Sequence, residues 1–254
     1  LSAGYHLNKL KKKNIIFEKN SRQGGLLDSF SIKGFTFDHF IHLSFAKNQY
    51  VKKFFAKSSK FYTHNPNPNN YYKGKWLNHS PQNNLFPLAL SEKIKIIKDF
   101  ILRDKKNLAE CRNYEEWLKN VYGNYFATNF PMVYTKKYWC IPAKQMGTKW
   151  VGFRMNIPKL TDMIKGALLP IHKNTFYGNN LRYPRKGGYR SFLNILVNNK
   201  NIKFNKVAKK INLKKKIIYF NNGDLIKYNK LISSIPLPEL CGIINGIPKR
   251  VKLA

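Results

Sequence analysis

Apolar residues recur along this chain with two periods, and the change between them divides it. Over residues 1–13 Leu1, Tyr5 or His6, and Leu7 to Leu10 fall at helical spacing, with lysines gathering at the end where a helix dipole favours cations. The apolar run Ile15-Ile16-Phe17 then ends in Glu18, and such a continuous run reads as a buried parallel strand. Residues 44–57 predict a helix with Tyr50, Val51, Phe54 and Phe55 on one face. Residues 60–87 are dense in Asn, Pro and aromatics, which predicts turn-bearing loops. Ser91 is expected to cap a helix through Leu102 that buries Ile94, Ile96, Ile97, Phe100 and Ile101. Asn113, with Glu116 three residues later, marks a helix start before Trp117-Leu118, running to about Tyr122. A shorter helix is expected from Gly123 to Phe130, ended by Pro131, and another over 190–198. From Asn201 the period becomes two: 202–204, 207–211, 217–220 and 225–228 read as a β-meander, with Asn221-Asn222-Gly223-Asp224 as a turn. Residues 231–235 read as a further, buried strand.

Composition bears more on partners than on fold. The chain has 254 residues, 43% of them hydrophobic with 18 Phe, 15 Tyr and 4 Trp, enough for a real core. Lys plus Arg number 47 against 12 acids, a net charge of +35 that raises nucleic acid as a partner. The lysines are spread among Asn and Ile, however, and form no single basic arm. The pattern therefore argues against nucleic-acid binding, and adhesion to anionic surfaces is the expected result of the charge. Cys111, Cys140 and Cys241 show no C-x-x-C spacing, which argues against a disulfide framework and a zinc site and favours a reducing compartment. The absence of an 18-residue apolar run gives no membrane span, and no signal peptide is read at Leu1, so a cytoplasmic protein is expected. The six His are dispersed and neither H-E-x-x-H nor G-x-S-x-G occurs, so no metal is expected and a hydrolase is poorly supported.

The chemistry concentrates in residues 15–43. Glu18 stands at the carboxyl end of the apolar run, where a Rossmann-type fold holds a ribose hydroxyl. Arg22 and the pair Gly24-Gly25 follow: paired glycines admit a ligand that a Cβ would exclude, and backbone N–H groups beside an arginine suit a diphosphate. A plain surface turn is the alternative for the glycine pair. The order E-x-x-x-R-x-G-G-x-x-x-S, with G-F-x-F-D at 34–38 and His42 behind it, resembles the FAD-binding start of the amine oxidase and protoporphyrinogen oxidase superfamily, which includes the UDP-galactopyranose mutases.

The resemblance implies FAD as cofactor, with Glu18, Lys19, Arg22, Gly24, Gly25, Leu26 and His42 in contact with it and the backbone of Val207 against the adenine. His42 would lie near the isoalloxazine edge, although Phe40-Ile41 stand where the family has Gly-Gly. His39 and His42 are expected to face one side. Tyr183-Pro184-Arg185-Lys186-Gly187-Gly188 is similar to the family's Y-P-x-x-G-G, which precedes a helix returning to the cofactor domain. Tyr134-Thr135-Lys136-Lys137-Tyr138-Trp139 resembles the Y-T-x-K-x-W of galactopyranose mutases, which implies Tyr134, Lys136, Trp139 and the later Arg154 as contacts to a nucleotide-sugar. A planar guanidinium matches phosphate oxygens. A core pair of Trp139 and Trp150 with solvated Lys136 and Arg154 is the equal alternative. Residues 81–85 resemble a P-x-N-L stretch lining the approach to the flavin, or are a plain loop.

The expected fold is α/β: a truncated Rossmann-like FAD-binding domain with a largely helical inserted substrate domain and a β-meander. Residues 1–43 would form the first part of the FAD domain, 44–189 the insertion, and 190–254 the second part. The family's glycine-rich phosphate loop and its closing FAD segment are expected to lie outside this sequence. The implied activity is interconversion of a UDP-sugar with reduced FAD. An FAD-dependent amine or protoporphyrinogen oxidase is the first alternative, and a basic nucleic-acid-binding module without catalysis is the alternative of another class.

Overall fold

In the computed structural model, which describes residues 1–152, 155–171, 180–197, 201–248 and 251, the chain divides into two compact units. The first comprises 1–63 and 182–254, the second 64–181. The first unit begins with α1 (Ser2–Lys9) and β1 (Ile16–Phe17). β1 pairs in parallel with β8 (Ile202–Lys203), Ile16 opposite Ile202. A parallel pair needs a crossover, and here the crossover is all the intervening chain. β8, expected as the start of the meander, belongs instead to this pair.

A hairpin of β2 (Ser29–Ile32) and β3 (Phe35–Asp38) turns at Lys33-Gly34, both in the left-handed region. The helix expected over 44–57 starts only at α2 (Gln49–Ser58), because Asn48 Oδ1 accepts from the N–H groups of Tyr50 and Val51 and so caps it. β4 (Phe61–His64) pairs with β7 (Leu181–Pro184), and the chain leaves and re-enters the first unit along these strands. After β7 a 3-10 turn, Tyr189–Leu193, runs into the short α8 (Asn194–Val197) in place of one longer helix. Phe192 is buried there against Phe55 of α2, ring centroids 5.0 Å apart.

The meander forms from β9 (Ala208–Asn212), β10 (Ile217–Phe220) and β11 (Leu225–Lys227), all antiparallel with β10 central. Ile211, Ile218 and Phe220 turn inward and meet Phe17 and α9 (Leu237–Ile243), the Phe17 and Phe220 rings lying 4.8 Å apart. The buried strand expected over 231–235 is exposed coil. Ser233 Oγ accepts from Ile235 N–H, a local turn that competes with sheet pairing, and Pro236 has no N–H to give a ladder.

The second unit corrects the loop reading of 60–87, a stretch that contains β4 and a tight hairpin, β5 (Asn69–Tyr72) and β6 (Lys75–Asn78), turning at Lys73-Gly74. Tyr71 and Trp76 sit opposite each other, rings 5.1 Å apart, and such cross-strand aromatic pairs stabilise a ladder. α3 (Leu90–Leu102) is preceded by Ala89 without a side-chain cap, so Ser91 lies inside the first turn. Ile96 and Phe100 are buried, but Ile94 and Ile101, expected in the core, are exposed, because the helix packs along one side only. α4 (Tyr114–Tyr122) starts as expected, Asn113 Oδ1 accepting from Glu116 N–H at 3.0 Å. α5 (Asn124–Asn129) is followed at once by α6 (Pro131–Trp139): Pro131 opens the second helix, where its missing N–H costs nothing. With α7 (Leu160–Leu168) these helices enclose a core that includes Leu77, Ile96, Leu118, Tyr122, Phe126 and Met163. Among the described residues no helix is long and apolar enough to cross a membrane.

Candidate functional site

Two acids gather the first unit's polar residues. Asp28 follows the tight turn Gly25–Leu27 and is buried. Its Oδ2 lies 2.6 Å from Arg22 Nε, while Oδ1 lies 2.8 Å from Arg190 Nε and accepts from Ser29 N–H at 2.9 Å. Pairing of this kind is what allows a carboxylate to leave water. Arg22 Nη2 also donates to the Ser29 carbonyl at 2.6 Å. The half-exposed Arg22 side chain is thus held in one place beside Gly24 and Gly25. Gly25 has φ 55°, and a Cβ there would meet nothing within 4 Å, so this backbone faces open space next to an exposed Leu26.

Asp38, at the end of β3, joins this hairpin to residues far along the chain. Its Oδ1 accepts from Ser29 Oγ at 2.7 Å and from Tyr189 N–H at 2.8 Å, and its Oδ2 accepts from Tyr183 Oη at 2.6 Å. Burial pushes the Asp38 carboxyl up, but hydrogen bonds from Tyr183, Ser29 and Tyr189 and the nearby His42 outweigh it and hold the group below its ordinary value. Burial first, then the bond to Asp38, pushes the Tyr183 phenol up to about 12. Gly188, φ 68°, lets the two segments close: a Cβ there would collide with Ser29 Oγ and come within 2.7 Å of Asp38 Oδ1. The His42 ring lies 5.0 Å from that of Tyr189, with Nδ1 donating to the Phe40 carbonyl at 2.7 Å. His39 lies against Phe30 instead. The two histidines do not share a side as expected, since residues three apart on an extended chain face opposite ways.

The other end of the site is set by β1 and β8. Glu18 donates its N–H to the Lys203 carbonyl at 2.9 Å, and its own carbonyl accepts from Lys206 N–H at 2.9 Å. Its Oε1 accepts from Asn20 N–H at 2.9 Å. Val207, next to Lys206, is therefore brought beside Glu18, with an exposed Lys19 adjacent. Val207 O accepts from Asn221 N–H at 3.0 Å.

In the second unit Tyr134, Lys136 and Trp139 all lie on α6 and are exposed. The Tyr134 ring stacks on Tyr138 at 5.6 Å, and Trp139 tilts against Trp150 at 5.8 Å. The tryptophan pair therefore forms, but at the surface. Only Thr135 of this motif is buried, its Oγ1 donating to the Pro131 carbonyl. Arg154 lies outside the described residues. In the 81–85 stretch Asn84 is buried, Nδ2 donating to Ser80 O at 2.9 Å. Among the described residues no group of three or more His, Cys, Asp or Glu could hold a metal ion.

The motif reading gave no role to Asp28, Tyr189 and Arg190. It included Asp38 and Tyr183 only as letters of a pattern. Conversely, Tyr183-Pro184 through Gly188, read as the approach to a helix, turns out to close the site itself.

Parallel β1–β8 pairing with an acid at the strand's carboxyl end, and a glycine turn beside an anchored arginine, are features of a Rossmann-like fold. Residues 1–58 match the family model of the NAD(P)-binding Rossmann-like domain. Over nearly its whole length the chain has the fold of UDP-galactopyranose mutase and the amine oxidases. A reduced UDP-galactopyranose mutase superposes with a TM-score of 0.85 at 24% identity, covering 98% of this chain and 56% of that one. A putrescine oxidase variant gives 0.62 at 12% identity, and cyclohexylamine oxidase from Brevibacterium oxydans 0.61 at 10%, each covering 99% of this chain and 59% of the other. The chain thus spans less than three-fifths of the length of these solved structures.

Proposed function

We propose that this chain is part of an FAD-dependent enzyme acting on a nucleotide-sugar in the manner of UDP-galactopyranose mutase. The observation that supports the reading is the meeting, within one unit, of residues 18–42 with 183–190 and 202–207. The residues present fit the cofactor. Glu18 would take a ribose hydroxyl, and the Val207 backbone the adenine. The open backbone at Gly25, with Gly24 packed close against Asp28, and the pinned Arg22 would take the diphosphate, with Lys19 and Leu26 at its sides and His42 towards the ring system. When bound, the flavin supplies the redox-active ring; the protein's part is to fix and orient it.

For the substrate, the exposed rings of Tyr134 and Trp139 offer faces for a base or sugar, and Lys136 with Arg154 offers charge for a diphosphate. The mutase side is favoured over the oxidase side by the closer superposition, 0.85 against 0.62. With three unpaired cysteines, the reading places the protein in the reducing cytoplasm.

Purified protein carrying this chain together with the phosphate-loop and closing segments expected outside it should take up added FAD and show its visible spectrum, and Arg22→Ala should weaken uptake by about one to two decades, the worth of a charge-assisted contact. UDP should bind the FAD-loaded protein, and Arg154→Ala should weaken UDP by a similar factor while leaving FAD content unchanged. FAD uptake without UDP binding would move the protein to the oxidase branch. No FAD uptake, with tight and steeply salt-dependent DNA or RNA binding, would leave the basic module standing.

A further inference from the structure

The second unit leaves a helix face uncovered. Along α3 Leu90, Ile94, Ile97 and Ile101 follow one another at spacings of four, three and four, which places them on one stripe. Leu90, Ile94, Ile101 and the neighbouring Leu102 are 71%, 55%, 51% and 70% exposed, although Ile96 and Phe100 on the helix's other side are buried. Ile94, Ile97, Ile101 and Leu102 line a groove of about 460 Å³ with Lys98 at its edge. Ile97 is partly buried against the core, and the exposed residues either side of it leave an apolar strip of the kind that marks interaction sites.

The charges around it select the partner. α3 carries two acids, and both are turned into the unit: Glu92 receives Lys73 Nζ at 2.8 Å and the hydroxyls of Tyr72 and Tyr125 at 3.2 Å, and Asp99 receives Tyr125 N–H at 2.7 Å. Lys93 covers the exposed ring of Phe86 at 5.0 Å and Lys98 is exposed at the groove's edge, while Lys95 lies over the Tyr125 ring at 5.8 Å. The border of the stripe is therefore cationic. A second copy fits badly. Lys93 and Lys98 lie on opposite edges of the stripe, so a parallel two-fold brings the Lys98 edge of one copy to the Lys93 edge of the other, an antiparallel one joins like cationic edges, and each copy carries +35.

We propose that the α3 stripe docks on an anionic lipid surface, its aliphatic side chains entering the headgroup boundary while Lys93 and Lys98, on its two edges, meet the phosphates. Apolar insertion and basic residues act together in this way on interfacial helices.

Because charge elsewhere on the chain will also attract anionic vesicles, the test changes apolar residues at constant charge. Co-sedimentation with phosphatidylglycerol–phosphatidylcholine vesicles is compared for the full chain and Ile94→Asn/Ile101→Asn, with phosphatidylcholine vesicles as the neutral probe. The native chain should partition onto the anionic vesicles, and the variant should do so roughly tenfold less while melting normally, since both sites are exposed. Should that variant fail to fold, Lys93→Gln/Lys98→Gln must lose more binding than Lys209→Gln/Lys210→Gln, an equal charge change on the meander of the first unit. Equal binding within either comparison would reduce the effect to diffuse charge and overturn the proposal. So would absence of vesicle binding by the native chain. Lipid-free self-association by light scattering that the isoleucine variant abolishes would assign the stripe to a second copy instead.

Discussion

Asp38 is where a single residue does most to shape the first unit, since three donors from three places in the sequence end on its two oxygens. Its folded value lies below the ordinary 3.8, so folding favours the charged form. The stability this contributes is present above about pH 4 and is lost as pH falls through the depressed folded value. Asp38→Asn should therefore lower the melting temperature at neutral pH, and the gap to the native chain should close as the pH is taken below the ordinary carboxylate value. A gap constant down to acid pH would mean that the carboxylate's charge is not what the three donors respond to. Gly188 answers to sterics alone: Gly188→Ala should cost roughly 1–3 kcal/mol or more, for the left-handed backbone and for the displaced Ser29 hydroxyl, read by denaturant melts. Both residues stood inside motifs legible in the sequence. Their partnership was not, because residues 38 and 188 are made neighbours only by the path of the chain between them.

At the scale of elements, short-range chemistry decided what could be read. Asn113 with Glu116 announced α4 because a cap acts within one turn. The Lys33-Gly34 turn of the β2–β3 hairpin carries the same information in a weaker dialect: the backbone is left-handed at both positions, φ 48° and 83°, but lysine bears a Cβ that resists it. Lys33→Asn should therefore stabilise the fold by a few tenths to about 1 kcal/mol in thermal or denaturant melts, Asn-Gly being the favoured pair for this turn. No gain would place the strain elsewhere. The equivalent Lys73-Gly74 is a poorer site for the exchange, because Lys73 also holds Glu92. Ile94 and Ile101 on α3 mark the opposite case: helical spacing identified the helix correctly but cannot say how many of its sides find a partner.

Over the whole molecule the charge of +35 acts at long range. Few acids are available to balance it, so like charges repel across the folded chain, and screening should relieve them. The melting temperature should rise as salt is taken from near zero to about 0.1 M, where the screening length is about 10 Å. A fall would mean that ion pairs such as Arg22–Asp28–Arg190 outweigh the general repulsion.

The sequence by itself determined whatever depends on neighbours within a few residues: the period-two meander, the capped helix, the acid ending a strand and the glycine pair after Arg22. These follow from backbone geometry, which the local residues set. Only the tertiary structure decided that Ile202 pairs with Ile16 rather than with the meander, and that Val207 comes to Glu18. It likewise decided that Arg190, Tyr183 and Tyr189 close on Asp28 and Asp38. Pairing in parallel, burial of an acid and the uncovered side of a helix depend on which distant surfaces meet, and that is settled by packing the whole chain.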